Sequence, residues 1–167
     1  ARFPLEVLTA IKKRVPDLAL EYRISADELV EGGMTPDETI EFVKIIQDKI
    51  DLLHVSVGWL SDARTLPRMI QPAYYPHMLN VHYAEYFKKH LTVPVVTVGS
   101  ISTMQEAEEI IRTGKADMVA MARSIFADHN IVNNAIHERA EKTRPCIRCY
   151  NCNKHTMNYL PSRCCVN

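Results

Sequence analysis

Five cysteines crowd the carboxyl end of this 167-residue chain. Cys146, Cys149 and Cys152 stand with two residues in each gap, and the pair Cys164-Cys165 returns further on. Three thiolates at that spacing converge on one centre within a tight loop, and a returning cysteine supplies the fourth ligand. Soft thiolates select iron–sulfur clusters or zinc. Both centres accept four thiolates. Two well-separated Cys-x-x-Cys pairs would favour a zinc ribbon, whereas this continuous run with a distant fourth ligand favours a cluster. The cysteines are odd in number and clustered, unlike a disulfide framework. Thiolates kept for a metal imply a reducing compartment, so a cytoplasmic location is expected.

A second constellation is anionic in its preference. Gly99-Ser100 and Ala122-Arg123 each follow an apolar run of strand composition. Glycine lets main-chain N–H groups approach a phosphate, and arginine adds a forked cation. Two such loops side by side would make an anion site, although a Gly-Ser pair after a strand also serves as a plain turn. His54 and Ser56 share a face of another strand and could line a barrel interior, although a packed core histidine is the favoured expectation. The other histidines are scattered. No Gly-rich phosphate loop and no nucleophile elbow is present, so the residues themselves name no catalytic group.

These residues must be positioned by regular elements, and the chain repeats them. Leu8, Ile11 and Val15 recur at helical spacing, and Pro16 ends that helix. Leu18 to Ser25 alternates: Leu18, Leu20, Tyr22 and Ile24 form one face, with Ala19, Glu21, Arg23 and Ser25 on the other. In a barrel strand the apolar face meets the helices and the polar face points inward. Arg23 would then face the mouth of the barrel; on an edge strand it would form a surface ion pair.

Thr35, Pro36 and Glu38 make a capped helix start, with Ile40, Val43, Ile46 and Ile50 as its buried face. Strands are expected over Leu52–Val57, Val93–Val98 and Met118–Met121. Helices are expected from about Val81 to Leu91, from the Thr103-x-x-Glu106 capping box to Gly114, and from Asp128 to Lys142. The stretch from Trp59 to Leu79 reads as a long binding loop or lid. Strand–helix units repeated in this way imply a parallel α/β sheet, either half of an eightfold barrel or a small open sheet.

Lys plus Arg and Asp plus Glu each number 20, so the formal net charge is zero. That balance points away from nucleic acid, and no basic run points to a membrane. No apolar run approaches the roughly 18 residues of a membrane span. The start, Ala1-Arg2-Phe3-Pro4, is not a charged region followed by an apolar one, so it is not expected to be a signal peptide. With no initiator Met and an abrupt end at Val166-Asn167, the chain is expected to be a piece of a longer protein.

Several segments together resemble the old yellow enzyme superfamily, in its 2,4-dienoyl-CoA reductase, enoate reductase and trimethylamine dehydrogenase group. They are Arg23-Ile24-Ser25-Ala26-Asp27-Glu28 with Glu31-Gly32-Gly33-Met34-Thr35; His54-Val55-Ser56-Val57-Gly58-Trp59 with Ala63-Arg64-Thr65-Leu66-Pro67; Val98-Gly99-Ser100-Ile101; the run Gly114 to Arg123; and Arg144-Pro145-Cys146-Ile147-Arg148-Cys149. The resemblance covers nearly the whole chain and implies the second half of a TIM (β/α)8 barrel over residues 1–142, followed by a 4Fe–4S segment over 143–167.

It implies FMN-dependent NAD(P)H oxidoreductase chemistry on a small molecule with an activated carbon–carbon double bond. Arg23 would lie near the flavin ring, where positive charge favours the reduced anion. Gly99, Ser100, Ala122 and Arg123 would hold the FMN phosphate. Cys146, Cys149, Cys152 and Cys164 would bind the cluster, with Cys165 as the alternative fourth ligand. The family's FAD and nicotinamide domains would follow Asn167. This chain has Leu60 where the dienoyl-CoA reductases place a histidine. On its own the half-barrel is expected to be inactive and to self-associate through open edges at Leu18–Ser25 and Met118–Met121. The competing expectation is a zinc-clamped α/β module that binds a phosphorylated ligand or a protein partner.

Overall fold

Local pattern sets most of the elements. The computed structural model describes residues 1–167. In chain order they are α1 (Arg2–Arg14), β1 (Glu21–Ser25), α2 (Pro36–Ile46), β2 (Leu52–Ser56), α3 (Leu66–Met69), α4 (Val81–His90), β3 (Val95–Val98), α5 (Met104–Arg112), β4 (Met118–Ala120), α6 (Ala122–Ala127), α7 (Ile131–Ile136) and α8 (Asn151–Met157). Both capping boxes form. Thr35 and Glu38 satisfy the first turn of α2, and Thr103 and Glu106 that of α5. Each is worth about 1 kcal/mol. Gly114, at φ +71°, closes α5 in the left-handed region.

The sheet is wholly parallel, in the order β1-β2-β3-β4. Its register sorts the side chains into two rows. Ile24, Val55, Thr97 and Val119 are aligned across the sheet, as are Arg23, His54, Val96 and Met118. The first row faces the helices. There Leu53, Val55, Val57 and Val95 pack with Val43, Ile46, Phe87 and Ile110 in a core of 19 buried residues. The second row faces what would be the interior of a barrel. Consecutive strand–helix units without a reversal of strand order form half of a (β/α)8 barrel, not a doubly wound open sheet.

Three boundaries differ from expectation. The first strand starts at Glu21, because Glu21 is the first residue with a partner, Leu52, on β2. Leu18 stays outside the sheet, its carbonyl accepting a hydrogen bond from Lys12 Nζ. The fourth strand ends at Ala120, and Met118 is 52% exposed, because β4 is an edge with only β3 beside it. The expected helix over Asp128–Lys142 is reduced to α7 and a short 3₁₀ turn, and a break at Asp128 separates it from α6, which was not expected. The Asp128 carboxylate causes the break by accepting from the Asn130 and Arg144 N–H groups, both at 2.9 Å. No helix is long and apolar enough to cross a membrane.

Candidate functional site

The carboxyl ends of the strands open on a cavity of about 560 Å³. That volume lies in the range of small-molecule sites. Arg23 of β1 and His54 of β2 reach it from the interior row, and the loops after β3 and β4 bring Gly99, Ser100, Ala122 and Arg123. Met69, Ile70 and Gln71 border it from the long loop after β2, and Arg148 from the cysteine segment. Its charge is one-sided. Arg23, Arg123 and Arg148 line the cavity, no Asp or Glu does, and none of the three arginines joins an ion pair. A chain with no net charge therefore gathers three unpaired cations and no carboxylate at one place, which favours an anionic occupant.

The loop after β3 packs too closely on its neighbours for a side chain at its first residue. Gly99 has φ +131°, and a Cβ there would meet Asn80 Nδ2 at 3.1 Å. Ser100 follows at φ +52° and is buried. Arg123 donates to the Gln71 carbonyl at 2.8 Å and to Ser100 Oγ at 3.3 Å. The Ser100, Ala122 and Arg123 main-chain N–H groups find no acceptor in the protein. Two buried side-chain atoms of residues lining the cavity, His54 Nε2 and Gln71 Oε1, also lack partners. Unmatched donors, unmatched polar atoms and unpaired cations fit a phosphate-bearing ligand that carries further polar groups.

His54 is held at its other nitrogen, with Nδ1 2.6 Å from Glu21 Oε1. Burial is the main influence on its pKa and pushes it down, partly opposed by Glu21. The expectation of a packed core histidine is corrected: the register places His54 beside Arg23 on the interior row, where no helix covers it. Arg23 forms no surface ion pair and lines the cavity. Below the site, Tyr83 donates to Asp27 Oδ2 at 2.9 Å, while the Asp27 carbonyl accepts from Gly58 N–H at 2.7 Å. This ties together the ends of β1 and β2. Burial, then the Asp27 carboxylate, pushes the Tyr83 hydroxyl up to about 12, so it stays a donor.

All five cysteines border a small pocket of about 20 Å³ that shares Arg123, Phe126, Arg148, Cys146 and Cys152 with the large cavity. All five thiols are free. Burial pushes the Cys152 thiol up, and a hydrogen bond with Cys149 does the same for Cys165. No three Cys, His, Asp or Glu side chains close on a point that one ion could occupy. A four-iron cluster takes one thiolate per iron, so its ligands stand further apart than those of a single ion. Cys164 and Cys165 both border the pocket. The sequence reading missed α8, which carries Cys152, and missed Gln71 and Arg148. The one available signal for Arg148 was a charged residue set between two ligand-spaced cysteines. Leu60 is exposed.

A family model described as "NADH:flavin oxidoreductase / NADH oxidase family" matches residues 1–142. An NADH oxidase from Thermoanaerobacter brockii is 38% identical over 150 residues, which is 89% of this chain and 23% of that protein. A cinnamate reductase from Clostridium sporogenes is 31% identical over 184 residues, which is 99% of this chain and 27% of that protein. The solved structure of a 2-naphthoyl-CoA reductase with 2-naphthoyl-CoA superposes with a TM-score of 0.90 at 28% identity, covering 99% of this chain and 25% of its own. The chain thus spans about a quarter of the length of these relatives.

Proposed function

We propose, since the chain belongs to the NADH:flavin oxidoreductase / NADH oxidase family, that it is the phosphate-gripping and cluster-binding part of a flavin enzyme that reduces an activated carbon–carbon double bond. The observation that carries the reading is the cavity's three unpaired arginines with no carboxylate among them. Residues 1–142 are the second half of the FMN barrel, and 143–167 the 4Fe–4S segment. The cinnamate reductase and the 2-naphthoyl-CoA reductase among the relatives support an unsaturated small-molecule substrate. FAD and NAD(P)H sites belong to parts of the protein beyond this chain, and the chain alone is inactive.

When bound, FMN supplies hydride chemistry and the cluster a one-electron relay. The chain's own residues bind and orient. The Ser100, Ala122 and Arg123 N–H groups and the Arg123 guanidinium hold the phosphate, with Gly99 allowing the close approach. Arg23 contributes a fixed positive charge at the β1 end, which favours an anionic reduced ring. His54 Nε2 and Gln71 Oε1 offer partners to polar groups of the ligand. Met69, Ile70 and Phe126 exclude water from the walls. Cys146, Cys149, Cys152 and Cys164, with Cys165 as the alternative to the last, are the cluster's ligands. The continuous Cys-x-x-Cys-x-x-Cys run with a distant fourth cysteine supports the cluster over zinc.

The test is made on the full chain prepared without oxygen. Bound FMN, iron and acid-labile sulfide are expected together. Arg123→Met is expected to weaken FMN binding about tenfold to a hundredfold, the equivalent of roughly 1.5–3 kcal/mol for a charged hydrogen bond. Unchanged FMN affinity in that variant, or a wild-type protein that takes up no flavin, would refute the assignment.

A further inference from the structure

Arg148 is 8% exposed and is the one buried residue beyond Lys142. Buried arginines ordinarily face a carboxylate. This one has none, and its guanidinium is held by oxygens of other loops. Nη1 donates to the Tyr75 carbonyl at 2.7 Å, the Pro76 carbonyl at 3.4 Å and Ser100 Oγ at 3.5 Å; Nη2 donates to the Ala73 carbonyl at 3.3 Å. The residue sits at φ +52°, in the left-handed region that a non-glycine residue enters only when its surroundings hold it there. It borders both the large cavity and the cysteine pocket. Its hydrogen bond to Ser100 Oγ meets the one from Arg123, so two cations without counterions converge on one hydroxyl of the phosphate-type loop.

Carbonyl dipoles orient a guanidinium but do not neutralise it. The missing counter-charge can come from a dianion in the cavity, and that anion would fix Arg148 more firmly against Ser100 and the 73–76 carbonyls. Whatever fixes Arg148 also fixes Cys146 and Cys149 on either side of it.

We propose that Arg148 is a positioning residue that docks the cysteine segment onto the phosphate loop, so that filling the cavity and ordering the cysteines are thermodynamically coupled through its side chain. The coupling half rests on the reading of the cavity as a phosphate-cofactor site; the docking half does not. Coupling is reciprocal: ordered cysteines raise the affinity for the anion, and the anion protects the cysteine segment.

The experiment is hydrogen exchange on the flavin-stripped full chain, made without oxygen, with FMN as the probe. In the wild type, FMN is expected to slow exchange across residues 146–152 about tenfold, within the usual range of coupling between sites. In Arg148→Met the segment exchanges faster before FMN is added and no longer responds to it, and FMN binds about tenfold more weakly. Arg148→Lys keeps the charge without the fork. It retains most of the FMN affinity but loses the protection of 146–152, and it guards against a Met variant that fails to fold. A segment equally protected in wild type and both variants would overturn the docking. An FMN response that survives in Arg148→Met would overturn the coupling. If the wild type binds no FMN, the flavin reading fails separately and the coupling with it; faster exchange in the variants without FMN still supports the docking.

Discussion

Residues 1–142 and 143–167 are built by different means. The first part folds around apolar side chains: Phe87, Ile46, Leu53 and Ile110 are fully buried between sheet and helices. The second part has no core. Its sole buried residue is Arg148, while Ile147, Met157 and Leu160 are exposed and Tyr159 is 99% exposed. Apolar burial near 25 cal/mol per Å² cannot hold such a segment in place. What it offers instead is donor atoms, five thiols around one pocket and a guanidinium reaching for distant carbonyls. On the proposed reading, a segment of that kind would take its stability from the group it ligates, as small metal-organised domains do.

The comparison breaks if removing a ligand disturbs both parts equally. Cys149→Ser is expected to abolish cluster binding and leave residues 146–167 open to protease. The unfolding midpoint of residues 1–142 should stay within the small range of a surface substitution, about 0.5 kcal/mol. Limited proteolysis and thermal unfolding on the same sample check both halves of that statement. A cleaved barrel half would show that the two parts share one cooperative unit. An uncleaved segment would show that something other than thiolate ligation holds it.

The barrel half has its own unmet need, which lies in the backbone and not in the side chains. β1 pairs only with β2, and β4 only with β3, so each end of the sheet leaves a row of main-chain groups unpaired. Open edges are templates for another chain. The 1–167 chain is therefore expected to self-associate. Met118→Lys, at the exposed start of β4, should weaken that association about tenfold, or roughly 1.4 kcal/mol, by placing charge on the edge. Sedimentation at several concentrations decides it. A wild-type monomer at high concentration, or an association that Met118→Lys leaves intact, would remove the edges as the cause.

How far each region could be foreseen follows the same division. Caps, alternation and the β-branched run over Val95–Val98 depend on neighbours a few residues away, so Thr35, Thr103 and the strands were legible in the sequence. The gathering of the cysteines at one pocket and the place of Arg123 on the cavity were legible because spacing and strand ends carry that information. Arg148 was not, since its acceptors at Ala73, Tyr75 and Pro76 lie far along the chain and only the tertiary fold brings them near. His54 failed for a related reason. Alternation sorts residues into two faces but does not say which face a helix will cover. The late start of α7 at Ile131 was hidden because it depends on Asp128 turning to the N–H of Arg144.

His54 also supplies the smallest test, one confined to the barrel half. Its side chain is 12% exposed, and burial depresses its pKa below the ordinary 6.5. The unfolded chain then binds a proton in a range where the folded chain does not, so the unfolded state gains as the pH falls. The stability that neutral His54 contributes is complete above about 6.5 and is lost as the pH drops through its folded value. The depressed carboxylates, such as Asp117 and Asp128, lose their contributions only at lower pH, because their unfolded values lie near 3.8. Between about pH 6.5 and 5 the part of the slope that His54→Gln removes is therefore assigned to His54. Urea unfolding at stepped pH should show stability falling across that window in the wild type and a flatter profile in His54→Gln. A ligand that gave Nε2 an acceptor would favour the protonated ring and flatten the profile as well, so adding FMN to the full chain turns a stability measurement into a report on what faces His54. An identical slope in His54→Gln would mean that the proton is taken up elsewhere and that the interior row is less dry than its burial implies.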